Sequence, residues 1–235
     1  MMEDTDLRIL RAELPAPYEL VCRERVDSVL DEALKLGGDG ADEGTLVWAG
    51  KTTDMPPGTL CAAVLLRPEE PAERWPELAA VAAVSAGAAI AEVCQPLTPL
   101  GYRWPDELLL GLDPVGHIGL ARSACLLALS WQIHVDSPPG TLPAFATLSG
   151  DGGAETTPGE VLGRTCRFFL DWVNRWAEEG FEPVHRAWLR RRLLEHPPAD
   201  VPAGEPVDLD ASGNLVLRTA DGETVRSLGD AVGLS

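Results

Sequence analysis

Residues 101–107 read Gly-Tyr-Arg-Trp-Pro-Asp-Glu (GYRWPDE), a glycine and two aromatics closed by a Trp-Pro step and two carboxylates. Upstream, residues 78–94 form an Ala-rich apolar run, which predicts a buried helix whose small side chains let it lie close against a sheet. Downstream, residues 108–110 and 116–121 are short β-rich runs around Gly111-Leu112-Asp113-Pro114, and residues 124–135 add one or two more. The stretch therefore stands between a buried helix and a series of short strands.

Further out, residues 24–36 carry Val26, Val29, Leu30, Ala33 and Leu34 at helical spacing and stop at Gly37-Gly38, predicting a first amphipathic helix. Residues 45–48 and 59–66 read as neighbouring strands, joined by a loop rich in Pro, Gly and Thr. Thr157, Pro158, Glu160 and Gly180 give the start and stop of a long helix with a capping box. Its apolar stripe runs through Val161, Leu162, Cys166, Phe169, Trp172, Val173 and Trp176. A further helix is expected at about residues 184–194. Residues 196–206 hold four prolines and read as a linker. Beyond them Ser212-Gly213-Asn214 and Asp221-Gly222 punctuate alternating apolar positions, as in a small β-meander.

The expected fold class is α+β, a mixed β-sheet with flanking helices plus a small C-terminal β module. The expected division is a core domain over 1–196, a linker over 197–206 and the module over 207–235. A chain of 235 residues suits one substantial core with a small addition.

The chain carries 37 acidic against 19 basic residues, a net charge of −18, and its only lysines are Lys35 and Lys51. Phosphate backbones need clustered Lys and Arg, so nucleic acid is excluded as an expected partner. Acidic macromolecules are disfavoured by repulsion. The five cysteines are odd in number and sit mostly in apolar runs, which reads as buried thiols in a reducing compartment. The acidic start MMEDTD is unlike a signal peptide, and the longest apolar run is too short for a bilayer. A cytoplasmic protein that does not engage a membrane is expected. Neither a P-loop, GxGxxG, HExxH nor GxSxG occurs, and the histidines and cysteines lack metal-ligand spacing, so no metal is expected.

Several landmarks fall in an order that resembles the biotin and lipoate protein ligase family. Val26-Asp27-Ser28 resembles Asp-Ser-Thr at the start of the family's first core helix, with Val29 in the place of Thr. The run TLVWAG resembles the strand before a Gly-Arg-rich loop, and GTLCAAVLLRP the strand after it. Arg103-Trp104-Pro105-Asp106-Glu107 resembles Lys-Trp-Pro-Asn-Asp with its Trp-Pro core kept. Gly180-Phe181-Glu182-Pro183 with Trp188, and DASGNLVLRTADGE, resemble the close of the catalytic domain and the C-terminal β domain.

The resemblance implies that a carboxylic acid, biotin or lipoate, is activated by ATP to an acyl-adenylate and passed to a carrier lysine. Homodimers are common in such a family. Its motifs are degenerate here. The loop between Ala49 and Gly58 is short and has no arginine, leaving Lys51 as its cation. The family's lysine after Trp-Pro falls on or beside Asp113, and its later-strand asparagine falls on His134. A carboxylate at Asp113 would repel a phosphate. The candidate ligand-binding residues are Ser28, Lys51, Arg103, Trp104, Asp106, Glu107, Gly116 and His134, with Arg103 and His134 the candidate catalytic pair. Three functions compete: a degenerate ligase binding a small carboxylate, nucleotide or protein; an active ligase or acyltransferase using substitute residues; and an interaction module with a vestigial pocket.

Overall fold

A computed structural model describes residues 4–138, 140, 144–193 and 204–234. Ten strands and six α-helices occur among them. Seven strands make one mixed sheet in the order β1 (Glu19–Arg23), β2 (Thr45–Ala49), β3 (Thr59–Leu66), β7 (Leu126–His134), β6 (Asp113–Ser123), β5 (Glu107–Leu110), β4 (Leu100–Arg103). Only β1 and β2 run parallel; every other neighbour is antiparallel. The remaining strands, β8 (Glu205–Leu209), β9 (Leu215–Thr219) and β10 (Gly222–Arg226), form the antiparallel C-terminal meander.

Period-two alternation assigns each side chain to a face. One face, carrying Leu46, Trp48, Leu60, Ala62, Val64, Trp131 and Ile133, packs beneath the helices α1 (Asp4–Glu13), α3 (Glu77–Val93), α4 (Pro158–Glu179) and α5 (Glu182–Leu189). The other face, carrying Val47, Ala49, Cys61, Ala63 and Ala128, is covered over part of its width by α2 (Val29–Gly38). The C-terminal meander contributes Leu209, Leu215 and Leu217 to the larger core, joined by Leu228 of α6 (Leu228–Ala231).

The long α4 begins as its sequence requires. Thr157 Oγ1 accepts from Glu160 N, and Glu160 returns the bond to Thr157 N. Close packing of the Ala-rich α3 is decided at Gly87, where a Cβ would stand 2.0 Å from the Tyr102 hydroxyl on β4. Trp176 is buried and Trp172 partly buried against the same core.

Several expectations shift. The first amphipathic helix starts at Val29, not at residue 24, because Ser28 caps it and Val26 instead bridges Thr52 in extended conformation. Residues 124–135 supply the single strand β7, since Ala124, at φ +52°, turns the chain between β6 and β7. Of the five thiols, Cys61 and Cys166 are buried, whereas Cys125 is exposed at that turn. The elements α1, β1 and β4 are additional to those expected. The helix expected at about residues 184–194 runs from Glu182 to Leu189; residue 194, like residues 197–203 of the expected linker, lies outside the described residues.

Candidate functional site

Directly paired residues on neighbouring strands point to the same face of a sheet. One such row crosses six strands on the face partly covered by α2: Ala49, Cys61, Gln132, His117, Glu107, Arg103. A second short row beside it holds Thr59 and His134. The first turn of α2 lies over Gly119 and Ser130, since a Cβ on Gly119 would meet Leu30 at 3.0 Å. Gly119 and Ser130 are themselves paired, two residues along from His117 and Gln132. The start of α2 therefore ends beside a polar strip of the sheet.

Each candidate residue has a defined place around this strip. Ser28 caps α2, its hydroxyl accepting from Asp31 N at 3.2 Å. Arg103 and Glu107 are opposite each other on β4 and β5, and the guanidinium Nε donates to the carboxylate. Asp106 Oδ2 stands 3.4 Å from His117 Nδ1. Gly116 lets β6 approach β7: a Cβ there would be 2.8 Å from Gln132 O. His134 Nδ1 lies 2.9 Å from Thr59 Oγ1, and its ring stacks on Phe145 at 3.9 Å. Burial pushes the His134 pKa below its ordinary value of 6.5, because desolvation penalises the imidazolium.

Trp104 belongs to the architecture. It is 4% exposed, and its indole N–H donates to Gly213 O at 2.9 Å, tying β4 to the C-terminal meander. The Trp104-Pro105 peptide bond is cis. Asp113 pairs with Leu110 where β5 turns into β6, is exposed, and does not line the cleft described next.

At the strand ends beyond Cys61 and Thr59 the surface opens into a cleft of about 520 Å³. Its walls are Ile9 of α1, Trp48, Met55, Pro57 and Val135, with Thr157 at the start of α4. Two cations line it, Arg25 and Lys51. Neither side chain has an ion-pair or hydrogen-bond partner among the described residues. The two carboxylates there are already engaged: Asp6 accepts from Thr157 Oγ1 at 2.5 Å and from Gly159 N, and Asp136 accepts from Ser137 N and Ser149 Oγ.

The loop over residues 50–58 forms one side of the cleft and is tied to the segment before α2. Gly50 N donates to Arg23 O and Val26 N to Lys51 O. Thr53 Oγ1 donates to Asp27 Oδ1 at 2.9 Å, and Thr52 Oγ1 lies 3.6 Å from Cys61 Sγ. The loop's other end is held by Gly58 O, which takes the N–H groups of Val135 and Asp136.

Arg25, Gln132, His117 and Ser130 were not among the residues singled out from sequence. Ser130 Oγ is buried without a partner among the described residues. The signal for two of the four was present: Ser130 and Gln132, with His134, alternate with Leu129, Trp131 and Ile133, a polar face on an otherwise apolar strand. Arg25 has no such signature, because its position at the cleft depends on the bridge between Val26 and Thr52.

The architecture recurs in solved structures. A biotin protein ligase-like protein of unknown function from Silicibacter sp. TM1040 superposes with a TM-score of 0.80 at 20% identity, covering 93% of this chain and 98% of that one. The biotin protein ligase of Aquifex aeolicus gives 0.75 at 21% identity over 88% and 94%. In sequence, the biotin--[acetyl-CoA-carboxylase] ligase of Paracoccus denitrificans is 29% identical, spanning 86% of this chain and 95% of its own. The bifunctional ligase/repressor BirA of Bacillus subtilis is 22% identical, over 94% of this chain and 76% of its own. The model of the biotin/lipoate A/B protein ligase family matches residues 14–190, a span that takes in β1, the loop over residues 50–58, the Trp104-Pro105 step and the polar strip together. By that match the chain is a member of the biotin/lipoate A/B protein ligase family.

Proposed function

We propose that this protein binds a small carboxylic acid with an apolar body and does not adenylate it. The observation that carries the reading is the division of cations. Among the described residues Arg25 and Lys51 stand unpaired at a cleft with apolar walls at Ile9, Trp48, Met55, Pro57 and Val135, and with its carboxylates Asp6 and Asp136 already engaged, while Arg103, the cation of the Trp-Pro motif, is spent on Glu107. A carboxylate held by two cations above Trp48, Met55 and Val135 matches the usual make-up of a small-molecule site, apolar walls with a few polar groups that orient the ligand.

A triphosphate makes different demands. Its charge needs several cations and N–H groups aimed at one place. The polar strip offers Gln132, His117 and His134, and His134 is held toward its neutral form by burial. These residues do not fit ATP, and no step through ATP is assigned to them. The short, arginine-free loop over residues 50–58, fastened to Asp27 and Val26, supports the same conclusion.

Isothermal titration with biotin, lipoate and octanoate, each with and without ATP, tests the reading. Binding of at least one acid, independent of ATP and weakened by Arg25→Gln and Lys51→Gln, is the expected outcome. Pyrophosphate release from ATP in the presence of any of the acids would sink it. That result would establish the second reading, an active acid–protein ligase, which the 29% identity to a named biotin ligase over 95% of that protein favours.

A further inference from the structure

The cleft wraps around the ends of β2, β3 and β7 from one face of the sheet to the other. Trp48 in its lining belongs to the large core beneath the helices, whereas Cys61 and Met55 belong to the small core on the α2 face. Its two cations stand together toward the α2 side, where Val26 N, next to Arg25, donates to Lys51 O, and Thr52, next to Lys51, has its hydroxyl 3.6 Å from Cys61 Sγ. The helix-layer end is made by Asp6 and Ile9 of α1 with Thr157 and Pro158 of α4. A ligand whose carboxylate sits at the cations therefore extends its other end toward α1, over about 10 Å, the usual spacing of packed layers.

The helix α1 precedes residue 14, where the match to the family model begins, so the matched span does not account for it. It is firmly seated. Leu10 is 0% exposed in the main core, and Leu7 and Leu14 pack against that core. Gly159 and Gly163, one turn apart on α4, make room for it: a Cβ on Gly159 would stand 2.3 Å from Asp6 Oδ1, and one on Gly163 would stand 3.2 Å from Glu13 Oε2. What α1 offers the cleft is an apolar side chain with surface to spare, the half-buried Ile9, and a carboxylate already used. Asp6 is 8% exposed; its Oδ1 accepts from Thr157 Oγ1 at 2.5 Å, and Gly159 N donates to both its oxygens, at 3.1 and 3.2 Å. That end of the cleft therefore holds a buried negative charge whose neighbouring donors are occupied.

We infer that α1 is the specificity element of the cleft: Ile9 is the stop that sets the length of the bound acid, and Asp6 is the positioning residue that holds α1 in place and keeps a second charge out. The ligand class narrows to monocarboxylic acids with an apolar far end. A dicarboxylic acid of the same length is refused, because its second carboxylate would lose water, meet Asp6 and find no free donor. The inference rests on the reading of Arg25 and Lys51 as the holders of the ligand carboxylate.

The test titrates the full chain with straight-chain monocarboxylates from hexanoate to tetradecanoate, and with the dicarboxylate matched in length to the best of them. The parent is expected to show an optimum length. Ile9→Ala moves that optimum to longer acids and Ile9→Phe to shorter ones, and the next acid beyond the parent's optimum gains about fourfold in Ile9→Ala, the value of one buried methylene. Opposite shifts from two changes at one position do not arise from a loosened fold, and the unfolding midpoint of each variant checks this separately. Asp6→Asn, which keeps the shape and one accepting oxygen, raises the affinity for the dicarboxylate relative to the monocarboxylate about fivefold, the size of one charge pair at contact in water. Asp221→Asn, which removes an equal charge at the exposed turn between β9 and β10, leaves that ratio unchanged. Affinity that rises with every added methylene in the parent, an optimum unmoved by both Ile9 variants or moved the same way by both, or a ratio insensitive to Asp6→Asn or equally sensitive to Asp221→Asn would each overturn the inference. Such a result, with acid binding still weakened by Arg25→Gln and Lys51→Gln, would leave the reading of the cleft standing. Failure of the parent to bind any acid would sink both.

Discussion

The two ends of the large sheet treat their polar side chains in opposite ways. At the β4–β5 end the residues of the Trp-Pro motif are consumed by the fold: Arg103 by Glu107, Trp104 by Gly213 of the meander, Tyr102 by the close approach of Gly87. Near β2 and β3 Arg25 and Lys51 stand unpaired among the described residues, and a loop is held to its neighbours by a few bonds at the surface. A sequence motif that identifies a family is thus not automatically the place where this chain binds anything. Cost of substitution should follow the same division, high where side chains are consumed and low where they are free.

The largest effect is expected at Trp104. Truncation to alanine removes a buried indole and leaves Gly213 O without its donor, so Trp104→Ala should lower unfolding free energy by about 3–5 kcal/mol. Denaturant titration would measure this. A loss near that of an ordinary surface change would break the comparison, since the motif would then not be structural. Next comes Gly87→Ala, where the new methyl meets the Tyr102 hydroxyl and ring edge. Overpacking of this kind costs about 1–3 kcal/mol. Combining it with Tyr102→Phe, which removes the nearest atom, should recover part of the loss, and a strictly additive pair would show that the two side chains do not meet.

This division also sets what was legible in the sequence. The long α4 was readable to the residue because its capping box and terminal glycine are local chemistry, and β3 was readable because eight consecutive residues are apolar or β-prone. By contrast β1, five residues at a sheet edge, owes its existence to pairing with β2 and has no periodic signal of its own. The helix α1 did have a signal, Leu7, Leu10 and Leu14 at helical spacing, which pack into the main core. At the site, the strand positions of Gln132 and His134 were latent in the alternation of β7. The neutralisation of Arg103 was not, because it depends on β4 and β5 folding into a hairpin that sets Glu107 directly opposite.

A smaller effect, visible in pH dependence more than in magnitude, is expected at His134. Its folded pKa lies below the ordinary 6.5 because of burial, so above that pH folded and unfolded chains are both neutral there and the stability is fully present. As pH falls below 6.5 the unfolded chain takes up a proton that the folded one still refuses, and stability is lost through the folded pKa. His185, also lowered chiefly by burial, acts in the same direction. His134→Gln should therefore flatten, without abolishing, the acid-side fall in urea midpoint. A profile as steep as the parent's would place the whole effect on other groups.

The smallest change in stability belongs to the loop. Thr53→Val removes one exposed hydrogen bond, from Thr53 Oγ1 to Asp27, and surface changes of this kind stay within about 0.5 kcal/mol. The readout is local instead. Hydrogen exchange at residues 50–58 should accelerate, since the latch to the start of α2 is one of few bonds holding that segment, while amides of β4 and β5 keep their protection. If exchange rose equally at both ends of the sheet, the loop would be part of the same cooperative unit as the Trp-Pro motif. A purely local response would instead leave the cleft wall free to adjust to a ligand at little expense to the rest of the fold.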